Sequence, residues 1–411
     1  MDVEILDYDS ERDFEAVKRI WYEVGWLEEE DAEPGLQAML KAGTCAVLPI
    51  HGEAECSVIG VPGRMQYLDA DLNLGVIAAV TTSRIARRMG AAQSLTVDVL
   101  GQQASAGAQV AALGMFDQGF YNRVGFGTGP YVISHSFDPA TLRVDVPQRP
   151  PVRLGKQDAA AMHAALAGRK RGHGGCVLEP VETVEAETYF TESSFGFGFC
   201  DGPDGALSHF IWGDAEDVEH GPYSIDAIAY RNTDELFELL GLIRSLGDQV
   251  NAVHMNEPEE LQLQDLLATP FRNQRSTLGS THTQWQEALA TWQARILDLP
   301  GCIERVRHAG EPLRFALSLD DPASQWLRRD HGWRGIGGDY IVSLGESSTV
   351  ETGSDAALLK LTASAGAFSR WWLGVGPASR LALSDDLSAP PELLEQLDGV
   401  AIPKPFFGWD F

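Results

Sequence analysis

The spacing of apolar residues in the first third of the chain predicts alternating strands and helices. Apolar side chains recur every three or four positions from Phe14 to Val24, which is the spacing of an amphipathic helix. Shorter apolar runs bounded by turn residues predict strands, at 45–50, 54–61, 65–68, 76–82, 109–115 and 131–137. A helix over 90–106 and a shorter one over 117–124 are predicted between the last three strands. This part of the chain therefore predicts a mixed α/β unit.

A second unit is predicted to begin after the prolines at positions 147, 150 and 151. A short strand over 152–154 followed by a helix over 158–167 repeats the opening of the chain and suggests a duplicated fold. A polar segment over 273–282, rich in Ser and Thr, marks a further boundary. We therefore expect three domains, at 1–145, 146–282 and 283–411.

The third unit is predicted to begin with a helix. Trp285, Leu289, Trp292 and Ile296 are spaced four, three and four residues apart, as on one helical face. Short strands and further helices follow in the remainder of the unit. The predicted fold class is α+β, with two α/β units built on mixed central sheets flanked by helices and a third α/β domain after them.

The charge balance narrows the classes of partner. The 411 residues include 59 Asp and Glu but only 31 Lys and Arg, which gives a formal net charge of −28. Such a chain repels phosphate backbones and anionic lipid headgroups, so we expect neither nucleic acid nor a membrane surface as its partner. A cationic partner is favoured.

Cysteine usage and the first residues predict a cytoplasmic protein without a metal site. The five cysteines are scattered and no C-x-x-C pair occurs, so neither a zinc site nor a disulfide framework is predicted. No apolar run is long enough for a transmembrane helix. The first four residues lack the basic and apolar segments of a secretory signal.

An arginine-rich turn between a predicted strand and a predicted helix is the most informative motif. It contains Arg87-x-x-Gly90-x-Ala92. The first amides of a helix lack backbone partners and lie at the positive end of the helix dipole, which suits a pyrophosphate. Small residues at the helix start allow close approach, and the guanidinium groups of Arg87 and Arg88 add charged hydrogen bonds.

This motif resembles the R/Q-x-x-G-x-G/A signature of the GCN5-related N-acetyltransferases, whose loop holds acetyl-coenzyme A. A second segment, Phe120-Tyr121-Asn122-Arg123-Val124-Gly125-Phe126, resembles the F-Y-x-R-x-G-F segment that closes the coenzyme site in the same superfamily. A dinucleotide-binding fold is not indicated, because no G-x-G-x-x-G precedes the helix. A P-loop is excluded, because no G-K-[ST] follows a glycine-rich run.

Over nearly its whole length the chain resembles the Eis (enhanced intracellular survival) family of N-acetyltransferases. Two further segments carry the likeness, at 293–300 and 372–379. The resemblance implies that the second unit lacks its own pyrophosphate loop. It also implies that the third domain has a sterol-carrier-protein-like fold and that the protein assembles as a homohexamer.

The resemblance assigns residues to acetyl-coenzyme A and to the chemistry. The implied coenzyme-binding residues are Val80, Thr81, Thr82, Arg87, Arg88, Met89, Gly90, Ala91, Ala92, Gln93, Phe116 and Asp117. Many family members carry Ser-Glu at the last two positions, and this chain departs from that pattern. Tyr121 is implied as the general acid that protonates the departing thiolate, a role that a phenol can fill only when it is well placed.

The last six residues contain four aromatic side chains, which predicts that this tail docks into the body of the protein. Docking would leave a terminal carboxylate partly desolvated, which raises its pKa toward that of a useful base. The family likeness accordingly assigns the α-carboxylate of Phe411 as the proton acceptor. The alternative is that the tail docks for packing only.

Candidate acceptor-binding residues are Trp26, Glu28 and Asp410, because an aromatic face and carboxylates together bind an ammonium group. The acidic cluster over 28–33 is either a solvated loop or one wall of such a pocket. The expected activity is acetyl transfer from acetyl-coenzyme A, without a metal, to the primary amine of an aminoglycoside, a polyamine or a lysine-like acceptor. The alternative is a non-catalytic protein whose third domain binds a lipid.

Overall fold

The computed structural model describes residues 4–28, 32–259, 261–268 and 281–409. Within these residues the chain forms three β-sheets with helices packed against them. This arrangement confirms the α+β class and the two mixed sheets flanked by helices. None of the described helices is long and apolar enough to cross a membrane.

The first unit follows the predicted order of strands and helices with three differences. One strand over 53–67 replaces the two predicted at 54–61 and 65–68, a helix over 33–41 was not predicted, and the helix predicted over 117–124 is a 3-10 turn over 121–124. Its strands are β1 (Leu6–Asp7), β2 (Thr44–Ile50), β3 (Glu53–Tyr67), β4 (Ala70–Thr82), β5 (Val110–Gly114) and β6 (Gly127–Thr128). Its helices are α1 (Ser10–Val24), α2 (Glu33–Lys41) and α3 (Ala91–Ser105). Asp9 caps α1, since its carboxylate accepts hydrogen bonds from the amides of Glu11 and Arg12.

The next part of the chain supplies most of a second sheet. Its strands are β7 (Val132–Phe137), β8 (Val152–Leu154), β9 (Cys176–Leu178), β10 (Ser194–Phe199), β11 (His209–Ala215), β12 (Tyr223–Ala229), β13 (Val253–Asn256) and β14 (Trp285–Leu289). Its helices are α4 (Ala159–Ala167), α5 (Val181–Phe190) and α6 (Thr233–Ser245). Within the described residues, the second sheet has the strand order β14-β7-β13-β12-β11-β10-β8, with β12 and β13 parallel. Strand β9 does not belong to this sheet.

The remaining residues form a third sheet with its own helices. The strands are β15 (Trp292–Ile296), β16 (Leu313–Asp320), β17 (Gly338–Leu344), β18 (Thr349–Thr352), β19 (Lys360–Ser364) and β20 (Leu387–Ser388). The helices are α7 (Leu299–Ile303), α8 (Ala365–Trp372), α9 (Ala378–Ser384) and α10 (Pro391–Asp398). Strands β16 to β20 pair in the order β18-β17-β16-β19-β20. The sterol-carrier likeness of this unit stays a prediction.

Two strands replace the helix that was predicted over Trp285 to Ile296, and that prediction is wrong. β14 pairs with β7 at the edge of the second sheet, whereas β15 lies between β5 and β6 in the first sheet. Apolar and polar residues alternate along β15, as in a strand, but both of its faces are buried in the sheet. Its polar side chains, Gln293 and Arg295, are fully buried, and their terminal nitrogens donate hydrogen bonds to distant parts of the chain. Nothing local to the sequence indicates those partners. The side-chain oxygen of Gln293 and the Nε of Arg295 have no partner among the described residues.

The units exchange strands. The first sheet runs β1-β2-β3-β4-β5-β15-β6 within the described residues, and β9 also pairs with β3. Strand β7 precedes residue 145 yet belongs to the second sheet, and β15 follows residue 282 yet belongs to the first. Sheet membership thus crosses the predicted limits at 145 and 282, although the domain limits themselves stay a prediction.

The first and third sheets also share a hydrophobic core. Tyr67 on β3 stacks on Trp372 of α8 at a ring-centroid distance of 4.3 Å, and its hydroxyl donates to the Trp372 carbonyl at 2.9 Å. Both rings are almost fully buried. The third unit is therefore anchored on the sheet that carries the candidate site.

Candidate functional site

A cleft opens where β4 and β5 separate. These parallel strands pair only from Leu74 to Val76 on β4, and past that point no described strand pairs with that edge of β4. A β-bulge interrupts the opposite edge, because Ser57 pairs with Thr81 while Ile59 pairs with Ala78. Bulges re-aim side chains and main-chain groups beside functional sites. Residues Ile77 to Val80 line the resulting cavity.

The arginine-rich loop leads into α3, as predicted. Arg87 and Arg88 are exposed, and neither side chain has a hydrogen bond or ion pair with the described part of the chain. Gly90 has a φ of 76°, and no side chain caps α3 behind it. A Cβ at Gly90 would also lie 2.8 Å from the ring of Trp326, so this position requires glycine for both its conformation and its packing. The first amides of α3 are left available to an anion.

Tyr121 begins a 3-10 turn, Tyr121–Val124, beside the cavity. Its ring is packed edge-on among Phe116, Phe120 and Phe126. Its hydroxyl makes no hydrogen bond to any residue that the structure describes. Burial, with a smaller effect from the Cys56 thiol, raises the pKa of Tyr121 above its usual value. The phenol therefore stays protonated and can act as a donor.

A buried ion pair holds the Tyr121 turn against the third unit. The guanidinium of Arg295, on β15, donates to the carbonyl of Val124 and to the carboxylate of Asp321. Gly125 follows the turn with a φ of 88°, and a Cβ there would lie 2.6 Å from the Arg295 guanidinium. The position of Tyr121 thus depends on Arg295 and Asp321, which lie 174 and 200 positions further along the sequence.

The cavity beside Tyr121 has a volume of about 620 Å³ and is mostly apolar. The second unit contributes Leu178, Thr183, Glu187 and Phe190 to its lining. Trp21 and Trp26 lie in the same lining with their rings edge to face at 5.3 Å. Residues from the first two units therefore meet around one space.

A second, acidic cleft adjoins this cavity and shares Trp26 and Phe190 with it. Its volume is about 850 Å³, and four carboxylate side chains line it, those of Glu28, Glu192, Asp214 and Asp226. Lys156, the one cation among the described residues of its lining, lies over the Tyr189 ring at 4.3 Å. The combined space is suited to a molecule that carries positive charge.

The predicted site residues are distributed around this space. Val80, Phe116, Tyr121 and Trp26 line the cavity, and Glu28 lines the acidic cleft. Thr81 is buried, and its hydroxyl is hydrogen-bonded to Ser57 at 2.8 Å. Thr82, Met89, Ala91, Ala92 and Gln93 frame the loop and the start of α3. Asp117 is exposed and does not line the cavity, and the acidic cluster continues into α2 at Glu33.

The aromatic tail docks into the body of the protein as far as it is described, which confirms that prediction. Phe407 is buried, and Trp409 packs on Trp292 at a centroid distance of 4.1 Å. The carbonyl of Gly408 accepts a hydrogen bond from the amide of Cys176 at 2.9 Å. Trp409 lines the cavity that contains Tyr121. Asp410 and Phe411 lie outside the described residues.

Several cavity residues were not predicted from the sequence. They are Trp292, Thr183, Glu187, Asp214 and Asp226. Trp292 was assigned to a helical face, and no motif marks the other four. Helix α5, which carries Thr183 and Glu187, has little amphipathic character and gave no periodic signal. The packing of the second unit against the first brings the last four of these side chains to the site, and the insertion of β15 into the first sheet brings Trp292 there.

The described residues contain one cluster with the ligand types of a metal site, formed by Asp201, His209 and Glu238. Arg149 already occupies it, since its guanidinium donates to both carboxylates. This cluster is best understood as an ion-pair network that holds the segment before β8.

Comparisons with known proteins bear on the fold. No protein-family model and no curated protein matches the sequence. Among solved structures, a probable N-acyltransferase from Enterococcus faecalis V583 matches with a TM-score of 0.78 and 16% identity, over 100% of this chain and 99% of that one. A GCN5-related N-acetyltransferase from Kribbella flavida matches with a TM-score of 0.72 and 18% identity, over 98% and 97%.

A third solved structure, Eis1 from Mycobacterium abscessus, matches with a TM-score of 0.73 and 14% identity over 100% of both chains. At such identities the likeness concerns the three-dimensional arrangement, and it extends over the whole length of each protein. This chain therefore has the fold of the Eis-like GCN5-related N-acetyltransferases.

Proposed function

We propose that this protein is an N-acetyltransferase that moves the acetyl group of acetyl-coenzyme A to a primary amine of a cationic acceptor. The observation that supports this most is a juxtaposition. The free edge of β4 leads through the arginine-rich loop to the uncapped start of α3, and the same edge of β4 and the buried Tyr121 border one cleft. The edge of β4 and the start of α3 suit a donor that has an amide-containing arm and a pyrophosphate. Tyr121 suits the protonation of a leaving thiolate.

The chain's own groups would hold the donor in three ways. First-turn amides of α3 and the side chains of Arg87 and Arg88 would bind the pyrophosphate. Main-chain groups of Val80 to Thr82, at the unpaired edge of β4, would hydrogen-bond the amide-containing arm and polarise the thioester carbonyl. Phe116 and Asp117, at the end of β5, would border the far side of the arm. No metal is required for any of these contacts.

The proposed reaction is a direct transfer in a ternary complex. The neutral amine attacks the thioester carbonyl, and collapse of the tetrahedral intermediate expels the thiolate. Tyr121 donates its phenolic proton to that sulfur. The role of the α-carboxylate of Phe411 as the base stays a prediction.

The acidic cleft supports a cationic acceptor. Trp26 stands between the cavity and the cleft, where its face can contact an ammonium group, and Glu28 lies beyond it. An aminoglycoside, a polyamine or a lysine side chain has the required primary amine next to further positive charge. A cytoplasmic location and a homohexameric assembly are part of the same proposal through the family likeness.

Calorimetric titration with acetyl-coenzyme A, followed by a thiol-release assay on a panel of amines, tests this function. We expect saturable binding of the donor and thiol release that depends on an added polyamine, aminoglycoside or lysine derivative. Neither heat nor a thermal shift with the donor would favour the alternative of a non-catalytic binding protein. Thiol release at the same rate without any amine would also contradict the proposal.

Removing the loop charges is expected to weaken donor binding. In the double variant Arg87→Ala/Arg88→Ala, KM for acetyl-coenzyme A should rise about tenfold or more, because two charged contacts to the pyrophosphate are lost. The exposed Arg84 in the same loop provides the control variant Arg84→Ala, which should change KM by less than about twofold. With acetyl-pantetheine, which lacks the pyrophosphate, the double variant and the wild type should have the same KM. A KM effect that persists with this donor would contradict the assignment.

A further inference from the structure

The acceptor side of the cavity contains a carboxylate that the mechanism above does not use. Glu187 lies on α5, and the spacing of Thr183, Glu187 and Phe190 places one face of this helix along the cavity. Tyr121 lines the same cavity. A carboxylate from the second unit therefore shares one space with the predicted general acid of the first.

Glu187 has no counter-charge in the part of the chain that the structure describes. Its side chain makes no hydrogen bond or ion pair there, and the cavity around it is mostly apolar. The indole N–H of Trp21, in the same lining, is buried and has no acceptor among the described residues. An unpaired carboxylate and an unpaired donor in one cavity lower the stability of the fold unless a ligand forms hydrogen bonds with them.

The surroundings of Glu187 favour its neutral form without a ligand. Burial, and after it the carboxylate of Asp226, raise the pKa of Glu187 to about 7. Burial and the carboxylate of Asp214 raise the pKa of Asp226 to about 6. Titratable groups on the elements packed around α5 are those of Glu33, Lys41, Lys156, Asp158, His163, Asp214 and Asp226, with Tyr121 across the cavity. A base with a pKa close to the working pH is the most effective one.

We propose that Glu187 is the residue that accepts a proton from the bound ammonium group of the acceptor and so delivers the neutral amine to the thioester. This inference rests on the proposed function. It goes beyond that function by assigning proton removal to a side chain of the second unit.

The protons balance over one turnover. The acceptor enters as an ammonium ion and loses two protons in forming the amide. The first passes to the Glu187 carboxylate before attack and leaves to solvent through the acidic cleft. The second leaves the nitrogen of the tetrahedral intermediate and restores the phenol of Tyr121, which has given its own proton to the sulfur. The products are the amide, the free thiol and one released proton.

The variant Glu187→Gln tests the inference, because glutamine keeps the size of the side chain but cannot take up a proton. With an alkylamine acceptor at pH 7, kcat should fall about a hundredfold while KM for acetyl-coenzyme A stays unchanged. In the wild type, kcat/KM should rise as the pH increases through about 7, since the carboxyl group ionises there. That limb of the pH profile should be absent in the variant.

An acceptor that is uncharged at neutral pH separates proton removal from a structural role. With trifluoroethylamine, Glu187→Gln and the wild type should turn over at the same rate, because no proton has to be removed before attack. The variant Glu185→Gln, at an exposed position of the same helix, is the control and should retain wild-type kcat with both amines.

Three results would overturn the inference while leaving the proposed function intact. They are an unchanged kcat in Glu187→Gln, a rise in acceptor KM alone, and an equal loss with both amines. A turnover that is abolished by residues appended after Phe411 but is insensitive to Glu187→Gln would assign the proton to Phe411 instead. Failure of the proposed function is distinguishable, because the wild type would then release no thiol with any amine.

Discussion

Replacing Asp321 with alanine is expected to lower the free energy of unfolding by about 3–5 kcal/mol, because the substitution leaves Arg295 charged and buried without a counter-ion. The two side chains are 0% and 1% exposed, and their closest N–O distance is 2.6 Å. The Asp321 carboxylate also accepts hydrogen bonds from the main-chain amides of Ala323 at 3.0 Å and Ile336 at 2.8 Å. Urea unfolding monitored by circular dichroism measures the change.

The neighbouring Asp320 provides a matched control for this experiment. Asp320 is exposed, so Asp320→Ala should change the free energy of unfolding by less than about 0.5 kcal/mol. The double variant Arg295→Met/Asp321→Asn should regain part of the loss, because it removes the buried charges and keeps an acceptor for one of the two amides. If Asp321→Ala unfolds at the same urea concentration as the control, the ion pair does not join the first and third units.

Replacing Tyr121 with phenylalanine is expected to lower kcat about a thousandfold, within the range typical for loss of a general acid. Phenylalanine preserves the packing among Phe116, Phe120 and Phe126 and removes only the hydroxyl. Binding of acetyl-coenzyme A should therefore be unchanged by calorimetry, and thiol release should be slow with every amine.

Tyr131 is a suitable control for the loss of a phenol. It is 64% exposed and lies away from the candidate cavity, so Tyr131→Phe should retain full activity. Donors with better leaving groups separate an acid role from a packing role. An acetyl thioester of an acidic aryl thiol needs no protonation of sulfur, and with it Tyr121→Phe should approach the wild-type rate. A kcat for Tyr121→Phe within about threefold of the wild type would rule out the phenol as the acid.

The features that local sequence determines were predicted well. The strand before the arginine-rich loop, the loop itself and α3 depend on residues close to one another in the chain. Gly90 is required by its own backbone angle and by the helix that follows. The aromatic residues of the tail predict that it is buried, and Phe407 is indeed buried. The α+β class follows from the same local periodicities.

The tertiary structure alone decided what surrounds those elements. The insertion of β15 between β5 and β6 could not be predicted, because its buried Gln293 and Arg295 donate hydrogen bonds to side chains and a main-chain carbonyl at distant positions in the sequence. No motif in α5 marks Glu187 as a functional residue. It lines the cavity that contains Tyr121 because α5 packs against α2. Short-range spacing determines where helices and strands form, but burial, which raises the pKa of Glu187, depends on which distant surfaces come together.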